Sequence, residues 1–202
     1  MTPAHPIRKM ELKDIPQVVA VHLESFQGFF LSFLGPAFLK QLYTSILGDP
    51  SGMAFVFVGD CQVMGFVAGT IQPAGFYRRL IQKHWWRFAL ASLSPMIRRP
   101  SIFPRLLRAL KLPGQDLAGD RCGTLLSLAV LPGFQGRGIG SALVREFLSE
   151  AADKQLGQVI LTTDRNQNDD VNRFYQGLGF LLNREFITPE GREMNEYKFH
   201  LQ

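Results

Sequence analysis

The spacing of apolar residues along the chain alternates between two periods. Runs rich in β-branched, aromatic and other apolar residues, each about as long as a single strand, lie at residues 7–10, 53–58, 63–71, 124–130, 159–163, 180–187 and 194–201. Between them, apolar residues recur at helical spacing in segments 14–23, 36–47, 139–151 and 170–177. The pattern predicts strands and helices interleaved along the chain, without an internal repeat.

Local signals mark the boundaries of these elements. Asp14 is positioned to cap the first helix, and Pro36 suits the start of the second. The segment between those helices, 25–35, is rich in Phe and Gly and predicts a loop or a broken helix. The dipeptide Gly59-Asp60 predicts the turn of a hairpin between the strands on either side of it.

One segment departs from this regular alternation. Residues 76–111 are basic, aromatic and prone to form helix, and three prolines interrupt them. No acidic residue lies between Asp60 and Asp116, whereas nine basic residues do: Arg78, Arg79, Lys83, Arg87, Arg98, Arg99, Arg105, Arg108 and Lys111. We expect two or three short helices here, and an anionic partner such as phosphate, nucleic acid or a membrane surface.

Composition places the chain among folded globular proteins. Hydrophobic residues make up 46% and charged residues 19%, and the length suits one domain with a buried core, residues 1–202. No signal peptide and no apolar run of membrane-spanning length is evident. Cys61 and Cys122 fit neither a zinc site nor a disulfide framework, so we expect no metal and two ordinary thiols in a reducing cytoplasm.

A chemical signal lies in a glycine-rich turn between a buried strand and a helix. The strand 124–130 is followed by a turn, 135–140, that reads Gln-Gly-Arg-Gly-Ile-Gly and opens the helix. The first turn of a helix has amide N–H groups without partners at the positive end of the helix dipole, and glycines let an anion approach them. Arg137 adds a cation. These features favour phosphate binding, and a turn that only connects strand to helix is the alternative.

Two other phosphate motifs do not fit this turn. A Walker A loop requires Gly-Lys-Ser/Thr, and the turn contains no lysine. A dinucleotide fingerprint requires a third glycine, where Ser141 or Leu143 stands in the two registers. Asp164 follows the next strand as a ribose-binding acid would, but a single βαβ unit is too little for a doubly wound nucleotide fold.

A second motif downstream makes the assignment specific. Residues 168–180 read Asn-x-x-Val-x-x-Phe-Tyr-x-x-x-Gly-Phe. With the strand, the Gln-x-x-Gly-x-Gly turn and the helix before it, this motif resembles the GNAT acetyltransferases closely over residues 125–180 and more loosely before them. The resemblance implies an α/β (α+β) fold, a mixed, partly antiparallel twisted sheet flanked by helices, in which two central parallel strands splay apart. Residues 76–112 would then be a basic helical insertion before the central coenzyme-binding strand.

The resemblance also implies an activity and a set of site residues. Acetyl-coenzyme A would be the co-substrate, with its pantetheine arm in the gap between the splayed strands. The implied coenzyme-binding residues are Leu128, Ala129 and Val130 on the strand, Gln135, Gly136, Arg137, Gly138, Ile139, Gly140 and Ser141 in the turn and helix start, and Asn168 after the next strand. Tyr175 matches the tyrosine that protonates the departing thiolate, and packing in the core is its alternative role.

The general base of such a reaction has no counterpart on the coenzyme-binding strand. Its polar side chains are Thr124 and Ser127, and neither is a carboxylate. His22, Glu24 and Asp164 are candidates, each with a structural role as the alternative. Relay of the proton by water is a further alternative.

The sequence leaves the acceptor unidentified. The basic insertion favours a primary amine on an anionic small molecule, such as a nucleotide-linked amino sugar, over a protein N-acetyltransferase that modifies a lysine or an N-terminus. A non-catalytic acyl-coenzyme A sensor is the alternative function. A membrane surface contacted through 76–111 and an oligomer both stay open, and no nucleic acid is expected because no recognised reading motif is present. We expect the protein in the cytoplasm.

Overall fold

Strands and helices alternate along the chain as the apolar spacing predicts. The computed structural model of the protein describes residues 6–98 and 121–201. Its strands are β1 (Ile7–Lys9), β2 (Gly52–Gly59), β3 (Gln62–Thr70), β4 (Cys122–Val130), β5 (Gln158–Asp164), β6 (Leu181–Ile187) and β7 (Glu193–His200). Its helices are α1 (Ile15–Ser25), α2 (Phe30–Phe33), α3 (Gly35–Leu47), α4 (Phe76–Arg98), α5 (Ile139–Asp153) and α6 (Asp169–Gly177), with 3-10 turns at Leu12–Asp14 and Pro132–Phe134.

These strands form one mixed sheet in the order β1-β2-β3-β4-β5-β7-β6. Every neighbouring pair is antiparallel except β4 and β5, which are parallel. A parallel pair requires a crossover connection, and α5 provides it. The predicted fold, a mixed and partly antiparallel sheet flanked by helices, is therefore confirmed.

Helices cover both faces of the sheet. On one face α1, α3 and α4 enclose a core that includes Val18, Leu39 and Phe66. On the other face α5 and α6 enclose a core that includes Val67 and Phe147. Consecutive residues of one strand, such as Phe66 and Val67 of β3, enter opposite cores because side chains alternate across a strand.

The sheet opens at its centre. β4 and β5 pair at three positions, where Cys122–Thr124 lies opposite Gln158–Ile160. Just beyond this point the ladder between β3 and β4 is interrupted, and Leu126 forms a bulge between residues that are paired. A bulge bends its strand. The remainder of β4 stays paired with β3 and separates from β5, which gives the splayed parallel strands that the resemblance implies.

A buried chain of polar side chains joins α1, α3 and β4. Nδ1 of His22 lies 2.7 Å from the hydroxyl of Tyr43, which lies 3.3 Å from Oγ of Ser127. His22 and Tyr43 are only 3% and 1% exposed, and Nε2 of His22 has no partner among the described residues. Burial lowers the pKa of His22 to about 4, because the imidazolium form would lose its hydration. His22 is therefore a neutral group packed in the core.

Asp14 occupies the N-cap position of α1, as predicted, but its side chain does not make the capping hydrogen bond. It also ends the 3-10 turn before α1. Its carboxylate instead accepts two hydrogen bonds of 2.7 Å from Arg8 and one of 2.8 Å from the backbone N–H of Glu11. The Arg8 guanidinium holds the pKa of Asp14 below its usual value. A bidentate ion pair to β1 wins over the local cap because charge-assisted hydrogen bonds are stronger.

The turn between β2 and β3 lies one residue later than predicted. Gly59 pairs with Gln62, so the two turn residues are Asp60 and Cys61, whose φ angles are 49° and 59°. Two positive φ angles are typical of a type I′ turn, whose twist matches the strands that it joins. Gly59 therefore ends β2 and does not enter the turn.

The basic segment begins with one long helix. α4 extends from Phe76 to Arg98 through position 95, so the prediction of two or three short helices is wrong for this part. Phe76, Leu80 and Phe88 are buried in the core beside α3, and tertiary packing of this kind outweighs a local preference. The rest of the predicted insertion, 99–112, lies outside the described residues. No described helix is both long and apolar enough to cross a membrane.

Gly69 of β3 permits the close approach of strands and helix next to the bulge. A Cβ at this position would collide with the carbonyl oxygen of Thr124 and with the ring of Phe147. We expect Gly69→Ala to lower the free energy of unfolding by at least about 2 kcal/mol, because β4 or α5 must shift. Urea unfolding measures the loss. Gly133→Ala is the control, since a Cβ there has no atom within 4 Å, and an equal loss in both variants would contradict the explanation.

His22 makes the stability of the protein depend on pH. Its pKa falls from 6.5 to about 4 on folding, so unfolding takes up a proton between these values. The free energy of unfolding therefore has its full value above pH 6.5, and it falls by up to about 3 kcal/mol as the pH decreases toward 4. The measurement is the free energy of unfolding of the wild type and His22→Gln from pH 7 to pH 4. The wild type should lose this stability relative to the variant, and parallel curves would exclude the effect.

Candidate active site

The gap between β4 and β5 exposes the backbone edge of β4. The N–H of Leu131, just after β4, donates to β3 at 2.9 Å. Counting back from Leu131, every second residue of β4 therefore directs its backbone groups toward β3. Leu128 and Val130 lie between those residues and direct their N–H and C=O groups toward the gap. The carbonyl of Val130 accepts hydrogen bonds from Ser25 at 3.2 Å and from Gln135 at 3.1 Å. An extended ligand that carries amides can pair with this edge as a further strand would.

Ala129 differs from its two neighbours. The same alternation turns its N–H and C=O groups toward β3, and its methyl group is buried in the core beneath α1 and α3. The structure therefore does not bring Ala129 to the gap, although the resemblance includes it among the coenzyme-binding residues.

The turn after β4 leads into the exposed N-terminus of α5. Gly136 and Gly138 have φ angles of 74° and 79°, which favour glycine, and a Cβ on either would have no atom within 4 Å. No side chain caps α5, and its first turn contains no acidic residue. The amides of Ile139, Gly140 and Ser141 therefore lack intrahelical partners. With the positive end of the helix dipole, these amides are suited to bind a phosphate.

Aromatic side chains hold this turn in place. The guanidinium of Arg137 lies 5.2 Å from the centre of the Phe134 ring and is exposed, which keeps a cation beside the amides. A Cβ on Gly140 would lie 3.4 Å from the Phe174 ring, so the glycine lets α6 pack closely against the start of α5.

Two asparagines secure the other side of the gap. Asn168, at the N-cap position of α6, donates to the carbonyl of Asp164 at 3.1 Å, and Asn172 donates to the same carbonyl at 3.2 Å. Asn172 is buried and accepts a hydrogen bond of 2.6 Å from Thr163. The pair fixes the end of β5 against α6. The sequence motif singled out Asn168 alone, and the position of Asn172 one helical turn later was the available signal.

Tyr175 lies on the inner face of α6. It is 6% exposed and belongs to the core that also contains Leu125 of β4, Leu143 of α5 and Leu161 of β5, elements that border the gap. Its ring meets the ring of Phe174 edge-on, with centroids 5.0 Å apart. Its hydroxyl has no hydrogen-bond partner among the described residues, and burial raises the pKa of this phenol. The group is therefore a protonated, unengaged donor at neutral pH.

The three candidate bases occupy different surroundings. His22 is the buried, neutral imidazole described above, and Glu24 is exposed on α1. The carboxylate of Asp164 accepts two hydrogen bonds of 2.7 Å from Arg192, which ties β5 to the turn between β6 and β7. Ser127, noted in the sequence only as a polar residue of its strand, connects to His22 through Tyr43.

The structure thus brings most of the predicted site residues to one end of the sheet. The edge of β4, the turn before α5 and Asn168 all lie where β4 and β5 separate, and Tyr175 packs among the elements around them. Within residues 6–98 and 121–201, no group of three His, Cys, Asp or Glu side chains is arranged to hold a metal ion.

Comparison with known proteins places this site in a family. The sequence profile of the acetyltransferase (GNAT) family matches residues 17–180. A curated relative from Glycine max, named as the probable acetyltransferase TAP2, is 27% identical over 159 residues, which are 69% of this chain and 62% of that protein. The chain therefore spans less than two thirds of the length of this relative.

Solved structures share the fold at low sequence identity. An N-acetyltransferase from Staphylococcus aureus is 14% identical, with a TM-score of 0.62 over 97% of this chain and 98% of that one. The PaiA N-acetyltransferase from Thermoplasma acidophilum, solved in complex with coenzyme A, is 16% identical, with a TM-score of 0.57 over 96% of this chain and 98% of that one. Because the family profile spans most of the chain, including both motifs at the gap, the protein belongs to the GNAT family of acetyltransferases.

Proposed function

We propose that the protein transfers an acetyl group from acetyl-coenzyme A to a primary amine. The observation that carries the proposal is the gap between β4 and β5, where a free backbone edge leads directly into the uncapped start of α5. An amide-binding edge and a phosphate-binding turn lie in series. They match a substrate that has amides next to a pyrophosphate.

The residues at the gap fit the two polar parts of the coenzyme. The N–H and C=O groups of Leu128 and the N–H group of Val130 would bind the amides of the pantetheine arm. The amides of the turn from Gln135 to Ser141, with the guanidinium of Arg137, would bind the pyrophosphate. Asn168 positions the turn at the end of β5, and its side-chain oxygen remains available to the arm.

Tyr175 would act as the general acid. Acetyl-coenzyme A supplies the thioester carbonyl that the amine attacks and the thiolate that departs. The phenol of Tyr175 is protonated at neutral pH, as an ordinary phenol is, and burial raises its pKa further; its proton can be donated to the departing sulfur. A backbone N–H on the β4 edge near Val130 would stabilise the negative charge that develops on the carbonyl oxygen.

The proton of the acceptor ammonium would go to water. His22 is a weak base, with a pKa of about 4, and is sealed in the core. Asp164 is paired with Arg192, and the coenzyme-binding strand presents Thr124 and Ser127 as its polar side chains. These surroundings favour solvent at the open end of the gap over His22 and Asp164, and the exposed Glu24 of α1 is the alternative base.

The charge preference of the acceptor depends on which basic residues face the gap. Arg79 does not: it donates to Ser51 at 3.2 Å and to the carbonyl of Gln72 at 2.9 Å, next to the paired end of β4. From Thr124 to Val130 the strand covers about 20 Å, which separates Arg79 from the open end. An anionic acceptor such as a nucleotide-linked amino sugar stays a hypothesis that Arg79 does not support.

Acetyl-coenzyme A should stabilise the protein, and Gly138 should matter for its binding. At a hundred times its Kd the ligand raises stability by roughly 2.7 kcal/mol, which a thermal shift reports. Gly138→Ala places a methyl group over the turn and strains a φ of 79°. We expect calorimetry to show a Kd at least about tenfold higher, equal to about 1.4 kcal/mol. Gly191→Ala, at a φ of 82° in the turn between β6 and β7, carries the same strain and should keep the wild-type Kd.

Tyr175→Phe should slow turnover and leave coenzyme binding nearly intact. Loss of general acid catalysis lowers kcat on the order of a hundredfold or more, and removal of one hydroxyl changes the packing little. The measurement is kcat with a panel of primary amines, beside the Kd for acetyl-coenzyme A. Tyr197→Phe alters a second buried tyrosine of the same core and should keep wild-type kcat.

Two results would change the proposal. A Tyr175→Phe enzyme with wild-type kcat, in a reaction limited by chemistry, would remove Tyr175 from the mechanism. Tight binding of acetyl-coenzyme A by a wild type that turns over no amine would favour the sensor function instead.

A further inference from the structure

The long helix α4 presents large apolar side chains to solvent. Trp85, Trp86 and Leu90 are 65%, 49% and 60% exposed. Arg78 is exposed on the same helix, as is Gln82. We call these five residues the outer face of α4. Exposed single hydrophobic residues are common on proteins, whereas two adjacent tryptophans and a leucine are grouped here on one helix.

The outer face is opposite to the buried face of the same helix. At 100° per residue, Arg78, Gln82, Trp85, Trp86 and Leu90 fall on one side of the helix. The buried residues Phe76, Leu80 and Phe88 fall on the other side, and the ring of Phe88 packs 5.3 Å from that of Phe38 on α3. The inner contacts hold the helix in place, so the outer face is a formed surface.

This surface is positively charged. α4 contains no acidic residue between Phe76 and Arg98. The guanidinium of Arg87, also exposed, lies 5.0 Å from the centre of the Trp86 ring, so a cation accompanies the aromatic group. The guanidinium of Arg79, by contrast, is taken up by hydrogen bonds to Ser51 and to the carbonyl of Gln72.

We propose that the outer face of α4 docks the protein onto an anionic lipid bilayer surface. Tryptophan rings are favoured at the boundary between lipid head groups and acyl chains, and cations beside them are attracted to anionic phosphate groups. A helix that presents two tryptophans and Arg78 on one face, with Arg87 beside Trp86 and no acidic residue, fits that boundary on both counts. The docking is independent of the acetyl transfer proposed above.

Two other partners fit the face less well. A second copy of the chain would need about 800 Å² from each partner for an interface of standard size. Two tryptophans and a leucine fall short of that area, since a fully buried aromatic residue accounts for about 150–250 Å². Single-stranded nucleic acid binds aromatics and cations that line a groove, whereas these side chains project from a convex helix.

The chain itself contains a probe for the test. It has two tryptophans, and both lie on this face, so all tryptophan fluorescence comes from it. Full-length protein is mixed with vesicles of phosphatidylcholine alone or of phosphatidylcholine with phosphatidylglycerol. We expect a blue shift of the emission and sedimentation of the protein with the anionic vesicles, both weakening with salt because charges are screened over about 10 Å at 0.1 M.

Variants separate the contributions of the two kinds of residue. Trp85→Ala with Trp86→Ala should weaken sedimentation on the order of tenfold or more. Arg78→Ala should weaken it roughly fivefold, the effect of one cation near an anionic surface. Arg145→Ala, which removes an exposed cation from α5 on the opposite face of the sheet, is the matched control and should bind as the wild type does.

Four results would overturn the proposal: no sedimentation of the wild type at low salt, no blue shift, equal binding by the tryptophan variant, or equal loss in Arg145→Ala. A dimer in analytical ultracentrifugation that the tryptophan variant dissociates would assign the face to a second copy. Salt-dependent binding of an oligonucleotide that depends on the tryptophans, without vesicle binding, would assign it to nucleic acid.

Discussion

A backbone N–H or C=O that leaves a sheet must find another partner or water, and the second half of β4 presents a row of such groups. The cause is that β4 stays paired with only one of its two neighbouring strands along its second half. β3 keeps its hydrogen bonds with β4 up to the end of the strand, while β5 keeps only three paired positions. The bulge at Leu126 bends β4, so that the strand stays paired with β3 and separates from β5. The gap, and with it the proposed coenzyme site, follows from this bend in β4.

The elements around the gap are arranged to keep it from closing. Ser25 and Gln135 occupy the carbonyl of Val130 from α1 and from the turn before α5. On the opposite side, Asn168 and Asn172 occupy the carbonyl of Asp164. Side chains thus take up the strand-end carbonyls on both sides, and the N–H and C=O groups between them are left for a ligand.

Burial has opposite consequences for two titratable groups of this protein. In Tyr175 it raises the pKa and preserves the proton that a general acid needs. In His22 it lowers the pKa to about 4 and removes the basicity that a general base needs. The same desolvation favours the neutral form of both, so the phenol keeps its proton and the imidazole does not take one up.

The sequence by itself determined what depends on residues close together in the chain. Apolar periodicity predicted the strands and all helices of the described residues except the short α2 and the continuous α4. The glycines of the turn before α5 were predictable because positive φ angles restrict the residue locally. The motif from Asn168 to Phe180 could be recognised in the sequence because its residues lie close together in the chain.

Only the tertiary structure decided which groups meet across the fold. Tyr43 and Ser127 lie 84 positions apart, and nothing local in either segment indicates their hydrogen bond or its link to His22. In the basic segment, two neighbouring cations have different surroundings: Arg78 is exposed, and Arg79 donates a hydrogen bond to Ser51. Composition counts Arg78 and Arg79 alike. Their burial and their hydrogen bonds differ, because these depend on elements that only packing places next to each residue.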